Sequence, residues 1–466
     1  MKRYLLSWMA GVMVVLSFVM CSKDVAKAVK PADTTPATNP ANPAQNNGIP
    51  TQNTPTTNLT CSYTVKTSDW SIDGSTFAAG SVICIPAGTR GALLLKNFKG
   101  NAANPIIIVN KGGRVTFSVA TTASYAFKTQ NCQYIKILGN GTAGIKYGFD
   151  VNGGNIGITM DDLSSDFEIA NVEVQNCGFA GIMAKTDPSC DAATQRGRFT
   201  MRNVSVHDNY IHKTGGEGLY IGNSFYADGI SIACGRVLPH DVVNVKVYNN
   251  EVDSTGCEGI QVGGATSGCQ VYNNTVRYPG RSPFANGQNN GIQLGEGTGG
   301  KCFNNMIANA PGNGIILLGL GDNKLYNNII INSGENGIFA DSRYTPGPGY
   351  QFVNNTIISS AADGIKINSE TIPMHTVINN VIVKSGTGVA IHRKSNSVKL
   401  TASNNFTGTD ITTLKFVNYT TGDFRLQSSS PLINAGANTS AYGVTSDYYG
   451  EARPSGAAYE IGATEY

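Results

Sequence analysis

Hydrophobic and polar residues alternate along this chain in short segments that recur at a regular spacing. One such segment is Gly-Ile-x-Ile, in which x is any residue and other apolar residues can replace Ile. The segment or a close variant begins at eight positions: Gly181, Gly218, Gly259, Gly291, Gly314, Gly337, Gly364 and Gly388. Alternation with a period of two predicts a β-strand with one buried face. The sequence therefore predicts a series of equivalent short strands.

A second repeat, an apolar or aromatic residue followed by Asn-Asn, keeps step with the first. The Asn-Asn steps lie at 249–250, 273–274, 304–305, 327–328, 354–355 and 379–380. Between Gly291 and Gly388 the glycine pattern recurs every 23 to 27 residues, with one Asn-Asn step in each interval. Units this short cannot bury their apolar side chains alone, but stacking them about 4.8 Å apart forms one column. Asn and Gly suit the tight corners between strands, and stacked Asn side chains can form hydrogen-bonded ladders.

The two repeats predict an all-β fold, a right-handed parallel β-helix with one coil per repeat and loops inserted between coils. A β-sandwich or a β-propeller would need antiparallel hairpins or longer periods, and the sequence has neither. We expect this solenoid over residues 59–466, with an N-terminal cap and a C-terminal closing segment.

The closing segment carries a resemblance to known proteins. It runs from Asp-Phe-Arg-Leu at 423–426 through Ser-Pro-Leu-Ile-Asn-Ala-Gly at 430–436 to Tyr-Glu-Ile-Gly-Ala at 459–463. This resembles the C-terminal end of secreted bacterial β-helix lipoproteins of the polysaccharide-lyase-like (pectin lyase-like) superfamily. The resemblance implies the β-helix fold and a polysaccharide partner, but these motifs mark architecture and not a reaction.

The N-terminus predicts export. Residues 1–20 have the charged start and short apolar run of a signal peptide, and the run ends at Cys21. This resembles a bacterial lipoprotein signal, which implies that Cys21 is lipidated. Residues 21–58 are rich in Pro, Thr, Asn and Ala and predict a disordered tether. We expect a lipid anchor as the only membrane contact, at the outer membrane or cell surface, with a periplasmic or secreted location as the alternatives.

Charge and composition limit the kinds of partner and cofactor that we expect for this chain. The net charge of +3 without a basic run beyond the N-terminus excludes nucleic acid, and we expect a monomer. Ten cysteines are compatible with disulfides in an exported chain, and Cys61 and Cys84 could staple its N-terminal end, but no paired Cys-x-x-Cys spacing indicates a metal site. Ca²⁺ is the one cofactor considered, because residues 161–168 include four acids that could supply oxygen ligands. A solvated turn is the alternative for that stretch.

The outward x positions predict a functional surface. They form a stripe of Tyr220, Gln261, Gln293, Ile316, Phe339, Lys366 and Ala390. The intervals that begin at Gly181, Gly218 and Gly259 are longer, at 37, 41 and 32 residues, and predict inserted loops at about 186–198, 223–243 and 277–288. Two of these loops follow a strand and the third precedes one, so we expect them on opposite sides of the stripe, forming a cleft.

The residue types of this cleft suit a carbohydrate, whose hydroxyls and carboxylates need amide, aromatic and guanidinium partners. The predicted substrate-binding residues are Tyr220, Gln261, Gln293, Glu296, Asp241, Arg277 and Arg343.

Cleavage by a lyase needs a base and a cation that neutralises a uronate carboxylate. The candidates are His240, Lys185, Lys366, Arg281 and Arg343. His240 lies in Leu-Pro-His-Asp, which resembles the Asp-Pro-His-Asp of β-helix alginate epimerases, with Leu238 in place of the first Asp.

Two carboxylates suggest a different reaction. Glu217 and Glu258 precede the glycine in adjacent coils, where later coils carry Asn or Asp. Stacked carboxylates repel each other, which raises one pKa toward the value that a general acid needs, and a separation near 5 Å fits a retaining glycosidase. Alternatively, both simply replace Asn at a turn.

These features predict a surface-anchored enzyme that degrades a polysaccharide. The leading hypothesis is a lyase that acts on a uronate-containing glycan. The alternatives are a glycoside hydrolase that uses Glu217 and Glu258, and a non-catalytic glycan-binding or adhesive protein.

Overall fold

The computed structural model describes residues 59–342 and 347–466, which form a parallel β-helix. Each coil contributes one strand to a sheet that we call the site sheet, because it carries the Gly-Ile-x-Ile segments. Its twelve strands are Ser71–Asp73, Leu93–Lys96, Tyr125–Gln130, Ile156–Asp161, Ile182–Ala184, Leu219–Ile221, Ile260–Val262, Ile292–Leu294, Ile315–Leu317, Ile338–Ala340, Ile365–Ile367 and Ile391–Arg393.

A 24-stranded sheet forms the two other faces of the coils. The second face contains Tyr63–Thr64, Val82–Arg90, Ile106–Val119, Gln133–Leu138, Ser165–Ala170, Thr200–His207, Asp241–Tyr248, Ala265–Ser267, Gln270–Tyr272, Lys301–Phe303, Lys324–Tyr326, Gln351–Val353, His375–Ile378 and Leu400–Ser403. The third face contains Phe149–Gly153, Val172–Gln175, Tyr210–His212, Glu251–Asp253, Thr275–Arg277, Met306–Ala308, Ile329–Ser333, Thr356–Ser360, Val381–Val383 and Phe406–Gly408.

The remaining elements are short. Two antiparallel pairs lie outside the coils, Ile230–Ile232 with Gly235–Val237 and Phe416–Asn418 with Asp423–Leu426. The 3₁₀ helices are Ala192–Thr194, Ile411–Leu414, Tyr419–Thr421 and Ser440–Tyr442. In the described ranges no helix has the length and apolar character needed to cross a membrane.

The core is one column of inward-facing apolar side chains that extends from Val65 to Val398. The repeated glycine lies where the coil bends over this column. A Cβ added at Gly314 would lie 2.3 Å from Cγ2 of Ile330 and 2.7 Å from the carbonyl oxygen of Gly337. The glycine at this coil is therefore a packing requirement, because a Cβ there would overlap the core and the next coil.

The two residues of each Asn-Asn step have different roles. The first takes the left-handed conformation that turns the chain, as at Asn304, where φ is 53°. The second is buried and bonds to the same residue in neighbouring coils, so that the amide Nδ2 of Asn305 donates to Oδ1 of Asn328 at 3.0 Å. The resulting ladder consists of Asn209, Asn250, Asn274, Asn305, Asn328, Asn355, Asn380 and Asn405.

The chain ends are fastened to the coils. Cys61 and Cys84 form a disulfide at the N-terminal end. After the last coil the C-terminal segment folds back along the outside of the β-helix. Leu414, Phe424 and Tyr448 pack there against outward residues of the third face. The segment therefore covers a flank of the coils.

Candidate functional site

The two insertions that follow strands of the site sheet, residues 186–198 and 223–243, form one unit, here called the paired loops. A disulfide joins Cys190 to Cys234. The backbone N–H of Arg196 donates to a carbonyl of the second loop at 3.1 Å. The paired loops are thus held together covalently and by backbone pairing.

The paired loops close over part of the predicted stripe. The hydroxyl of Ser224 lies 2.6 Å from the Tyr220 hydroxyl and accepts a hydrogen bond from Nε2 of Gln261 at 2.8 Å. Tyr220 and Gln261 are consequently buried. These two side chains hold the loop in place and do not form an open cleft floor.

The third insertion, residues 277–288, lies before the strand Ile292–Leu294, on the other side of the stripe. Its Phe284 is exposed, and the ring centroid lies 5.7 Å from that of Phe179. The carbonyl of Gly287 accepts a hydrogen bond from Nδ2 of Asn290 at 2.7 Å. The insertions therefore occupy opposite sides of the stripe, as their positions in the repeat predict.

Beneath the third insertion, Glu217, Cys257 and Glu258 come together. Their candidate ligand atoms lie within 4.8 Å of one another, and no other such group of three or more His, Cys, Asp or Glu occurs in the described residues. The three side chains are at most 3% exposed. Nδ2 of Asn290 donates to Oε1 of Glu258 at 3.0 Å, whereas Oε2 of each glutamate has no hydrogen-bond partner.

Burial controls the protonation of this cluster. It raises the pKa of Glu217 to about 7, against an opposing effect of Lys185. Burial together with the neighbouring Glu217 carboxylate raises the pKa of Glu258 to about 8. The two carboxyl groups are stacked as the sequence predicts, but the overlying loop separates them from the surface, so a sugar does not reach them in this arrangement.

Farther along the site sheet the outward side chains are only partly covered. The residues of this open strip are Gln293, Ile316, Phe339, Lys366 and His392, which stand in register on successive strands. The prediction that Ala390 is the last residue of the outward stripe was wrong. Lys366 pairs with His392, and Ala390 takes the place that glycine holds in earlier coils, where its carbonyl accepts from the N–H of Ile365. The motif at Gly388 is two residues out of register.

The register places a histidine and an aspartate side by side on the open strip. Nδ1 of His392 lies 2.6 Å from Oδ2 of Asp363, whose Oδ1 accepts from the N–H of Val389 at 2.9 Å. The carboxylate favours the proton on Nδ1, which leaves Nε2 as a base. The imidazole is 39% exposed, whereas the Asp363 side chain is buried. Lys366 stands on the adjacent strand, about 4.8 Å away along the stack.

His240 belongs to the paired loops and not to an open surface. It is buried, its Nε2 accepts from the N–H of Thr186 at 3.0 Å, and its Nδ1 lies 2.9 Å from the carbonyl of Asp241. Burial lowers the pKa of His240. Both ring nitrogens are occupied by backbone groups, so this residue fastens the loop and has no nitrogen available for a substrate.

The other predicted site residues are dispersed. Arg281 is exposed on the third insertion, and Arg277 lies on the third face. Oε2 of Glu296 accepts from the backbone of the paired loops at 2.9 Å, and Oδ1 of Asp241 accepts from the Tyr226 hydroxyl at 2.6 Å. These four residues do not form one cluster with Lys366.

The remaining predictions concern Arg343, the N-terminal segment with Cys21, and a Ca²⁺ site. Arg343, Cys21 and the segment 1–58 lie outside the described residues. The acids of the proposed Ca²⁺ stretch are engaged elsewhere, with Asp161 3.1 Å from Nζ of Lys128 and Glu168 2.7 Å from a second lysine.

Comparisons with known proteins agree with the architecture. A family model described as a right-handed β-helix region matches residues 281–407, which contain the open strip. No curated protein matches the chain. The predicted fold class, a right-handed parallel β-helix, is confirmed by the stacked strands and this match.

Several solved structures are similar to this chain. They include pectate lyase Pel9A, with 15% identity over 88% of this chain and 98% of that chain and a TM-score of 0.46. The PL6 family alginate lyase AlyGC has 16% identity over 73% of this chain and 51% of that chain, with a TM-score of 0.45. A GH136 lacto-N-biosidase from Eubacterium ramulus has 12% identity over 72% and 63%, with a TM-score of 0.42. At these values the likenesses carry no argument about the reaction of this chain.

Proposed function

We propose that this protein binds a uronate-containing polysaccharide along the open strip and cleaves it by β-elimination beside His392. The observation that carries the proposal is the pair of Asp363 and His392 next to Lys366, on the partly exposed outer face of the site sheet. This arrangement supplies a base, a residue that orients the base, and a cation.

The open strip has the dimensions and chemistry of a polysaccharide site. From Gln293 to His392 it spans four coil spacings, or about 19 Å, which suits an oligosaccharide segment better than a single sugar. Phe339 and Ile316 offer apolar surface to the faces of sugar rings, and Gln293 offers an amide to their hydroxyls. Lys366 provides the positive charge that a uronate carboxylate needs.

In the proposed reaction Lys366 neutralises the uronate carboxylate, which makes the proton on the adjacent ring carbon more acidic. Nε2 of His392 takes this proton, and Asp363 stabilises the resulting imidazolium. The electron pair of the broken C–H bond forms a C=C bond, the C–O bond to the leaving sugar breaks, and the leaving oxygen takes a proton from water. The hydroxide that remains takes the proton of the His392 imidazolium, which restores the neutral base. The product is an unsaturated uronate chain end.

The test is to incubate the purified protein with alginate, pectate and glycosaminoglycans and to follow both the ultraviolet absorbance of the conjugated double bond and the release of reducing ends. We expect a rise in absorbance with one of these polymers, and its loss in His392→Ala and Lys366→Ala. His212→Gln, which changes a histidine on the third face, is the matched control and should retain the activity.

Each alternative gives a different result. Reducing ends without absorbance would indicate hydrolysis and would overturn the lyase proposal. Binding without turnover on any polymer would overturn the lyase proposal in favour of a glycan-binding or adhesive protein that uses the same strip.

We also propose that the chain is exported and anchored through lipidated Cys21. The two disulfides, Cys61 with Cys84 and Cys190 with Cys234, support an oxidising location. Cell fractionation is the test. The wild-type protein should sediment with membranes and Cys21→Ser should not, whereas equal distribution of the two would contradict the anchor.

A further inference from the structure

We propose that Glu217, Cys257 and Glu258 form a zinc-binding site beneath the third insertion. The site lies on two adjacent coils and uses no residue of the open strip, so it is independent of the proposed lyase activity.

The positions of the donor atoms suit one tetrahedral ion. A carboxylate oxygen of each glutamate and the Cys257 sulfur lie within 4.8 Å of one another. Donors bound to zinc at 2.0–2.3 Å lie about 3.3–3.8 Å apart, so movements of about 1 Å bring all three into the coordination shell. Oε1 of Gln288, from the third insertion, accepts from the Cys257 sulfur at 3.9 Å, so a further oxygen donor lies beside the cluster.

The hydrogen bonding of the cluster is incomplete without a cation. Oε2 of Glu217 and Oε2 of Glu258 are buried and have no hydrogen-bond partner. Buried polar atoms nearly always have a partner, and orphaned ones call for an ion or an ordered water. In the ionised form both atoms are acceptors only, so a cation between them can satisfy the two at once and holds both carboxyl groups ionised.

In later coils the side chains at the position of Glu217 and Glu258 satisfy one another's hydrogen bonds. At the same position Nδ2 of Asn313 donates to Oδ1 of Asn290 at 2.9 Å, and Asn336 donates to Asn313 at 2.8 Å. Each amide both donates and accepts, so successive asparagines satisfy one another. Glu217 and Glu258 lack the amide donor, so this end of the column needs a cation or another donor.

Charge and ligand type favour zinc. The two carboxylates and a thiolate carry three negative charges, which attract a divalent cation. Lys185 pairs with Asp187 at 2.6 Å and also interacts electrostatically with Glu217, so it offsets only part of this negative charge. Calcium and magnesium prefer oxygen ligands throughout, whereas zinc accepts mixed sulfur and oxygen ligands. No sequence motif marks this site, because Glu217 and Cys257 lie 40 residues apart and meet only through coil stacking.

The test uses the whole protein, and its readout is metal content and not enzymatic activity. The purified protein is treated with a chelator, dialysed against zinc and then against metal-free buffer, and its metal content is measured by mass spectrometry. We expect one zinc per chain in the wild type and in Cys269→Ser, which alters a buried free thiol outside the cluster. Cys257→Ser and Glu258→Gln should retain much less.

Cobalt provides a second readout. Co²⁺ in the wild-type protein should give a thiolate-to-metal charge-transfer band that is absent in Cys257→Ser. Glu258→Asn separates a metal site from a general folding defect, since Asn restores the amide of the ladder. It should bind no zinc, yet keep or raise the unfolding temperature of the metal-free protein. Wild-type protein that retains no zinc, or that binds Co²⁺ without this band, would overturn the proposal.

Discussion

Replacing Asn305 with alanine tests whether the asparagine ladder stabilises the coils. The side chain of Asn305 is fully buried and makes four hydrogen bonds to backbone groups and ladder amides, and its Nδ2 also lies 3.3 Å from the Cys302 sulfur. Nδ2 donates to the carbonyl of Val271 at 2.9 Å and to Oδ1 of Asn328 at 3.0 Å. Oδ1 accepts from the backbone N–H and from Nδ2 of Asn274, both at 3.0 Å. Alanine would leave these partners buried and unpaired.

The expected loss follows from that count. At about 1 kcal/mol for each hydrogen bond, Asn305→Ala should lower the free energy of unfolding by about 4 kcal/mol. Asn304→Gly is the matched control in the same Asn-Asn step. Asn304 has a φ of 53° and a side-chain oxygen without a partner, so glycine should change the stability by less than about 1 kcal/mol.

The assay is denaturant unfolding followed by far-ultraviolet circular dichroism, with hydrogen exchange to locate the loss along the solenoid. Protection should fall most in the coils that flank residue 305, because coils contact only their neighbours. If Asn305→Ala and Asn304→Gly lost equal and small amounts of stability, the ladder would not be a stabilising element and the reasoning would fail.

Three further changes probe the packing, the paired loops and a charge network. Gly314→Ala should cost about 1–3 kcal/mol by overlapping the core, whereas Gly91→Ala, where a Cβ meets nothing within 4 Å, should be nearly neutral in the same titration. Cys190→Ser removes a disulfide that closes a loop of 44 residues. The free energy of unfolding of the paired loops should therefore fall by up to about 4 kcal/mol, and protease should cut them faster. Unchanged cleavage would contradict this. Burial opposes the charge on His207, but hydrogen bonds to two carboxylates outweigh it and raise its pKa. That stabilisation is complete below the unfolded pKa of about 6.5 and is lost as pH rises through the folded-state pKa, so His207→Gln should lower the unfolding temperature more at about pH 5.5 than at about pH 9. Equal losses would refute this account.

The repeats predict the coils because each coil must satisfy the same two constraints. From Gly181 to Gly364 a glycine is needed where the chain bends over the core, and an asparagine pair is needed where a left-handed residue precedes a buried amide. The outward stripe from Gln293 to Lys366 follows from the same register. The prediction fails at Ala390 because alanine replaces the glycine there, and a nearby Gly-Val pair fits the motif two residues too early. Ile391, and not Val389, is the residue that aligns with Ile365.

The site is harder to predict because loops have no period. The sequence places three insertions on two sides of the stripe, but it does not show that the paired loops fold inward over Tyr220 and Gln261. Whether Cys190 pairs with Cys234 depends on that folding. The same limit applies to His240, because one of its two hydrogen-bond partners is the backbone N–H of Thr186 on the other loop, which the motif does not include.

Acidic residues in an amide ladder are the signal that could have located both sites. The column that precedes the site-sheet strands contains Asn290, Asn313 and Asn336, which satisfy one another, and acids at Glu258 and Asp363. A carboxylate accepts but does not donate, so it interrupts the ladder and needs a donor or a cation from elsewhere. Asp363 obtains a histidine from the next coil, and Glu258 keeps one oxygen without a partner. In a solenoid, where one position recurs on a fixed surface, a substitution that breaks the ladder in this way indicates chemistry more directly than a motif does.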